Sequence, residues 1–499
     1  MKNLFKFILF FLCFNSLGVS QGKFTIQNNK KSDKINFKLI NNLIIIPVKV
    51  NDVDLSFILD TGVSKTIIFN YKNISDSLKM RDTEPIYLRG LGEGESVVAL
   101  KSRNNAVKIG DAIKLNQDLF AVYNENINFA PRLGIPVHGI VGFDLFKDLV
   151  VEINYSNKYI RLTKPEEFHY KKCKKCETLN LEFYNNKPYL NANVKIEEKD
   201  IAVKLLIDSG GSDALWLFED EDLGIRHSDK YFEDFLGHGL SGSVYGKRSK
   251  IDEISFNGFV IKDANVAFPD SSSIAFAKQF KDRNGSLAGN ILKRFNLIVD
   301  YQKASITLKK NALFKHAFSY NKSGIELAHN GVRFVKEADY KNIQKNGFVN
   351  EDTNSIPVIN FSSSYKLTLK PIYSIIELRE DSPAFNAGLK IGDIVLSING
   401  KSTYEYTLQD LMQKFYNKEG TRIKLNVERN GANFIVNFRL ENVKAESNLR
   451  IGWMRSVVHI HSGFGNNSFV DELAHAAKID PVQFHLNLIG KDRIIKGKS

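Results

Sequence analysis

The stretch Phe57-Ile58-Leu59-Asp60-Thr61-Gly62 is an apolar run that ends on an acid, a hydroxyl and a glycine. A strand built of such residues carries the Asp60 carboxylate to a tight turn, where it is presented at the end of the strand instead of along a solvated face. A near-copy, Leu205-Leu206-Ile207-Asp208-Ser209-Gly210, lies 148 positions downstream (208 − 60). The fold depends on whether the surroundings are copied as well.

They are. Leu43 to Val50 reads as a strand, Asn51-Asp52 as a turn and Asp54 to Leu59 as the returning strand that delivers Asp60; Thr66-Ile67-Ile68-Phe69 is again strand-like. The second copy runs Pro188 to Ile196, a charged turn Glu197 to Asp200, Ile201 to Ile207, Asp208, then Ala214 to Phe218. Each unit closes on a glycine landmark, His138-Gly139-Ile140-Val141-Gly142 or Gly285-Ser286-Leu287-Ala288-Gly289, 82 and 81 positions beyond its aspartate (142 − 60 and 289 − 208). Matched landmarks at matched spacing imply an internal duplication. The expected class is mainly β: two similar lobes, residues 35–163 and 179–310, joined by a Lys/Cys-rich linker at 164–178.

Each lobe carries a glycine-rich hairpin candidate, Arg89-Gly90-Leu91-Gly92-Glu93-Gly94 and Gly237-His238-Gly239-Leu240-Ser241-Gly242. The second fits G-x-G-x-x-G formally. A dinucleotide fingerprint must follow a strand and open a helix, whereas Ser243-Val244-Tyr245 continues as extended chain, so a hairpin is the better reading.

The 499 residues leave room for roughly three domains at ~150 residues each. The 69 basic residues against 56 acidic ones give +13, but no basic stripe interleaved with aromatics marks a nucleic-acid surface, and a solvated exterior is expected. At the N-terminus, Met1-Lys2-Asn3-Leu4-Phe5-Lys6, the apolar run Phe7 to Phe14 and the small residues Gly18 and Ser20 predict a signal peptide over residues 1–20, cut after Ser20. Its apolar core falls short of the ~20 residues a membrane span needs. Export to the periplasm, cell envelope or extracellular space follows as an expectation. Loss of Cys13 with that peptide would leave Cys173 and Cys176, a C-x-x-C that lacks the four ligands of a structural zinc site and can close a small disulfide or stay reduced.

Asp60-Thr61-Gly62 and Asp208-Ser209-Gly210, each with its downstream glycine, resemble the retropepsin-like aspartyl proteases, duplicated in one chain as in pepsin-like enzymes, over about residues 40–310. The resemblance implies two acid-protease β-barrel lobes, catalytic Asp60 and Asp208, and support from Thr61, Gly62, Ser209 and Gly210. It also implies a flap, with Gly90, Gly92 and Gly94 as candidates, although Arg89, Glu93 and Glu95 stand nearby and the tip has no aromatic from which a flap tyrosine could be carried over. Independently of family, two carboxylates close together share a proton, since like charges at that distance resist joint ionisation. Such a pair activates water without metal or cofactor. Both aspartates lie in one chain, so a monomer can assemble the pair. The rival reading is that they only cap turns in a silent peptide-binding barrel.

Residues 311–442 change character, with the informative part at about 371–440. Ser382-Pro383-Ala384 can cap and open a short helix, Gly388 can end it, and Asn399-Gly400 suits a tight hairpin after Ile394 to Ile398. Ser382 to Gly400 resembles a PDZ domain of the bacterial secreted-protease type, which implies binding of an extended peptide at a sheet edge. Leu408, Leu411, Met412 and Phe415 fall at helical spacing within Thr407 to Tyr416.

The tail, residues 446–499, differs again. Gly452 to Val457 and Ser468 to Ala477, followed by Asp480-Pro481, resemble about 45 residues of the molybdenum-binding subunit of xanthine dehydrogenases and aldehyde oxidases, without its other cofactor-binding segments or catalytic glutamate. Ser468 is expected to cap one helix and Asp480-Pro481 to start another. Four histidines (His459, His461, His475, His485) lie here without metalloprotease spacing. The reading is an exported aspartic endopeptidase with a PDZ module, acting on extended peptides or unfolded proteins without nucleic acid; the rivals are the silent scaffold and, for the tail, a fragment of a molybdenum-dependent oxidoreductase.

Overall fold

The structure is a computed structural model that describes residues 22–27, 29–69, 75–123, 127–338, 365–443 and 470–489. The expected signal peptide, the Ser468 cap, His459 and His461 lie outside these residues. The chain divides into two compact units, residues 1–445 and 446–499.

The duplication is visible in hydrogen-bonded registers. Leu43–Val50 pairs antiparallel with Val53–Leu59, and the turn between them places Asn51 and Asp52 at positive φ, a conformation short polar side chains tolerate. Val53–Leu59 then takes Gly139–Val141 as a parallel neighbour, itself antiparallel to Thr66–Ile68. In the second lobe Lys187–Ile196 pairs with Lys199–Asp208, which lies parallel to Gly285–Ala288, itself antiparallel to Leu215–Leu217. An acid therefore leaves the end of a central strand in both lobes.

The register corrects one landmark. Val141 stands opposite Leu59, which places Gly142 one step on, level with Asp60; in the other lobe Ala288 is opposite Asp208. Gly142 and Ala288 also each precede a helical turn, Phe143–Phe146 and Gly289–Leu292. The counterpart of Gly142 is thus Ala288, with Gly289 one residue further on. Gly289 answers to a different constraint: a Cβ there would lie 2.7 Å from the carbonyl oxygens of both Asn42 and Gly211.

Both lobes contribute to a third sheet, ordered Cys176–Asn180, Ser305–Lys310, Phe295–Asp300, Val150–Asn154, Tyr159–Thr163, Ser32–Asn36. The lobes join at its centre, Val151 opposite Val299 and Ile153 opposite Leu297. One apolar core runs through both, including Phe57, Leu59, Val151, Leu205, Ile207 and Val299. The strand Cys176–Asn180 begins inside the stretch read as linker, and Cys173 is disulfide-bonded to Cys176.

The PDZ module has its own core. Ser382 Oγ accepts from Phe385 N–H, Pro383 opens the turn Pro383–Asn386, and Gly388 follows at φ +86°. Asn399 and Gly400, both at positive φ, turn Ile394–Ile398 into Lys401–Ser402. Thr407 caps Leu408–Lys414, and Leu408, Leu411, Met412 and Phe415 are all buried. The sheet also takes in Ile325–Ala338, paired with Tyr365–Leu378 at its edge. In the second unit Asp480 accepts from Gln483 N–H at the start of the helix Pro481–Ile489, and His485 lies 3.2 Å from Asp471. No helix among the described residues is long and apolar enough to cross a membrane.

Candidate active site

Asp60 and Asp208 end their strands in equivalent turns. Gly62 N–H donates to Asp60 Oδ1 at 2.7 Å and Gly210 N–H to Asp208 Oδ1 at 3.0 Å, so each carboxylate is fixed by its own glycine. The two turns meet. A Cβ on Gly210 would stand 2.2 Å from Asp60 Oδ2, and one on Gly62 3.4 Å from Asp208 Cγ. Each acid therefore lies over the glycine of the opposite turn; a side chain at position 210 would collide with Asp60, whereas one at position 62 would only touch Asp208.

The hydroxyls of the two turns hold them together. Thr61 N–H donates to Ser209 Oγ and Ser209 N–H to Thr61 Oγ1, both at 3.0 Å; Thr61 Oγ1 donates to Ile207 O and Ser209 Oγ to Leu59 O. Both hydroxyl residues are buried. Beneath them Tyr301, stacked on Phe146, donates to Thr61 O.

Burial and the neighbouring Asp208 charge push Asp60 up to about 7, against the pull of the Gly62 amide and Lys187. Burial raises Asp208 as well, opposed by Arg283, Lys187 and the amides of Gly210 and Gly211. Burial and mutual repulsion disfavour ionisation of both acids together, and Arg283, which acts on Asp208 alone, favours the charge there.

The expected flap residues converge at a second bridge between the lobes. Gly90 N–H donates to Ser241 Oγ, Gly94 N–H to Ser241 O, Ser241 N–H to Leu91 O, and Gly92 N–H to Ser273 O. Ser241 is at the tip between Phe232–Gly239 and Gly242–Phe256, so the two glycine-rich hairpins meet tip to tip. Leu91 and Trp216 pack against the same small core of Leu236, Val244 and Ala267, and Trp216 lies on the strand next to the one that flanks Asp208.

A polar tie links this hairpin to the segment that follows the Asp208 turn. Arg248 donates to Asp213 and to Asp234, at 2.7 Å each, and Trp216 Nε1 donates to the other Asp213 oxygen. Burial opposes the guanidinium charge, but the two aspartates hold it above the ordinary arginine range. Motif reading missed Tyr301, Arg248 and Lys187. Only Lys187 had a signal, since aligning the repeats sets it opposite Leu43. Among the described residues no group of three or more His, Cys, Asp or Glu is arranged to hold a metal ion.

The sequence model of a family described as aspartyl protease matches residues 46–145, and one described as PDZ domain matches residues 375–429. The chain thus carries an aspartyl protease domain and a PDZ domain. A membrane-bound aldehyde dehydrogenase (pyrroloquinoline-quinone) of Gluconacetobacter polyoxogenes is 42% identical over 60 residues, in keeping with the C-terminal resemblance. Those residues span 12% of this chain and 8% of that protein.

Proposed function

We propose that the chain is an exported aspartic endopeptidase in which water is activated between Asp60 and Asp208. The observation that carries this is the mutual placement of the acids, each over the opposite glycine and each anchored by one amide. Asp208, favoured as the ionised member, draws a proton from a water that attacks the scissile carbonyl. Protonated Asp60 donates to the carbonyl oxygen. No covalent intermediate forms. The hydroxyl ties keep the acids in register, so they need no reorganisation as charge develops.

The tip-to-tip hairpins would have to part for an extended peptide to enter and would then close on it, excluding water. The PDZ module supplies a second place for an extended chain. Export rests on the basic-then-apolar N-terminus.

The test is cleavage of an unfolded protein by the mature chain from about pH 3 to 8, the range in which a shared-proton pair titrates, beside Asp60→Asn and Asp208→Asn. Cleavage by the wild type alone supports the proposal. Equal cleavage by all three overturns the assignment of the reaction to Asp60 and Asp208, and none by the wild type leaves the silent peptide-binding scaffold.

A further inference from the structure

The two lobes differ in charge at two pairs of equivalent positions near the acids. Ile45 stands opposite Ile58 in the first lobe, and Tyr189 opposite Leu206 in the second. Leu43 and Lys187, two residues earlier on each strand, are therefore counterparts. A second correspondence comes from a shared hydrogen-bond pattern. His138 Nδ1 accepts from Ser56 N–H and its own N–H donates back to Ser56 O; Asn284 Oδ1 accepts from Lys204 N–H and its N–H donates back to Lys204 O. Hence Val137 and Arg283, one residue earlier, are also counterparts.

In the first lobe Leu43 and Val137 pack together with Ile45, Ile58 and Leu133. In the second lobe both places are cationic. Arg283 is buried and committed: Nε donates to Gly285 O, Nη2 to Ser286 Oγ at 2.7 Å, and its guanidinium lies 5.2 Å from the Phe218 ring centroid. Lys187 opens its strand after the turn Asn185-Asn186 and is half-buried, as are Asp60 and Asp208. Among the described residues its ammonium has no hydrogen-bond or ion-pair partner. Burial lowers its pKa, Arg283 adds to that, and the charges of Asp60 and Asp208 oppose it.

A desolvated ammonium without a partner is costly, and a carboxylate brought by a ligand would relieve that cost. The acids cannot serve both ends, because the one negative charge they hold is used on water. We infer that Lys187, backed by Arg283, forms a subsite on the second-lobe side of the cleft that takes an aspartate or glutamate side chain of an extended peptide. This rests on the peptidase reading and adds to it a substrate class, peptides with an acidic residue close to the cut bond.

The experiment uses internally quenched decapeptides in which a single Glu is stepped through the four positions on each side of the cut bond, each paired with its Gln isostere. A hydrogen bond to a charged group predicts a Glu-over-Gln ratio in kcat/KM of about 10- to 100-fold at one position for the wild type. That ratio should fall to within about threefold in Lys187→Met, persist in Lys187→Arg, and invert toward a Lys-bearing peptide in Lys187→Glu. Equal rates for Glu and Gln at every position in the wild type overturn the inference with no reference to any variant, as does a ratio that survives Lys187→Met. In both outcomes the wild type still cleaves and the peptidase reading stands. If the wild type cleaves no peptide, both readings fall.

Discussion

Thr61 and Ser209 exchange hydrogen bonds across the junction of the lobes: the backbone N–H of each donates to the hydroxyl of the other at 3.0 Å. Each hydroxyl also donates to a carbonyl of the opposite lobe, at Ile207 or Leu59. All four groups are out of reach of water, so the ties cannot be replaced by solvent.

Ser209→Ala leaves Thr61 N–H and Leu59 O buried without partners, at about 1–3 kcal/mol each. Urea unfolding should show a loss of about 2–4 kcal/mol, and Ser209→Thr should restore most of it. The two acids separate if this junction loosens, so kcat/KM should fall more than the loss of folded protein accounts for. A variant with unchanged unfolding free energy would show that the ties are not structural.

Glu326, on the edge strand of the PDZ module, sets up a pH dependence of stability. Burial and Asp234 push it up to about 7, opposed by Arg248, Asn321 and Arg132. A carboxyl raised on folding binds its proton more tightly in the folded state. Its stabilisation is complete below its ordinary value of 4.5 and is lost as pH rises through about 7. Asp60, raised to about 7, acts in the same sense. Glu326→Gln is neutral at every pH, so its urea midpoint relative to wild type should be higher at pH 8 than at pH 5. An equal difference at both pH values would mean that Glu326 does not titrate in this window.

The residues legible in the sequence were those whose constraint is local. A strand running into Asp-Thr-Gly, the Ser382 cap and the Asn399-Gly400 turn each state their geometry within a few residues. Pairing across long separations was not legible. The partner of Ile325–Ala338 starts at Tyr365, and nothing local announces it. Spacing alone matched Gly142 with Gly289, while the ladder shows Ala288 as the counterpart, because the second lobe has two fewer residues between its acid and this strand (142 − 60 = 82, 288 − 208 = 80). The hairpins were visible as glycine clusters, but their mutual contact belongs to the packing of two lobes.

Gly92 tests that contact. It sits at φ +113°, and a Cβ would lie 2.6 Å from Gly242 N and from the Ser241 carbonyl carbon. Gly92→Val should force the tips apart and lower kcat/KM by about tenfold or more, because closure over the substrate is lost. Unfolding should shift by only about 1 kcal/mol, since the strain falls on a loop that can yield. Equal loss of stability and activity would place Gly92 in the folding of the lobe instead of in closure.

Arg132 connects the PDZ module to the first lobe. Nη2 lies 3.0 Å from Glu377 Oε1, and the guanidinium lies 4.6 Å from the ring centroid of Phe235, on the second-lobe hairpin. Two residues on, Gly134 at φ +69° approaches the helix Leu408–Lys414, where a Cβ would stand 2.7 Å from Leu408 Cβ. The turn Ala130–Leu133 thus touches Glu377 on one side and Leu408 on the other, and it leads into Gly139–Val141, whose last carbonyl accepts the Asp60 N–H. A half-exposed ion pair contributes about 1 kcal/mol or less, so Arg132→Ala should leave global stability nearly intact. Its effect should be local: faster amide exchange in residues 130–137 and 325–329, with a change in kcat/KM transmitted through Val141. Arg333→Ala, which removes a similar ion pair to Glu428 inside the PDZ sheet, is the control. If both variants speed exchange in the same segments and neither alters cleavage, the Arg132 contact is ordinary surface pairing and the PDZ module is not coupled to the dyad through this turn.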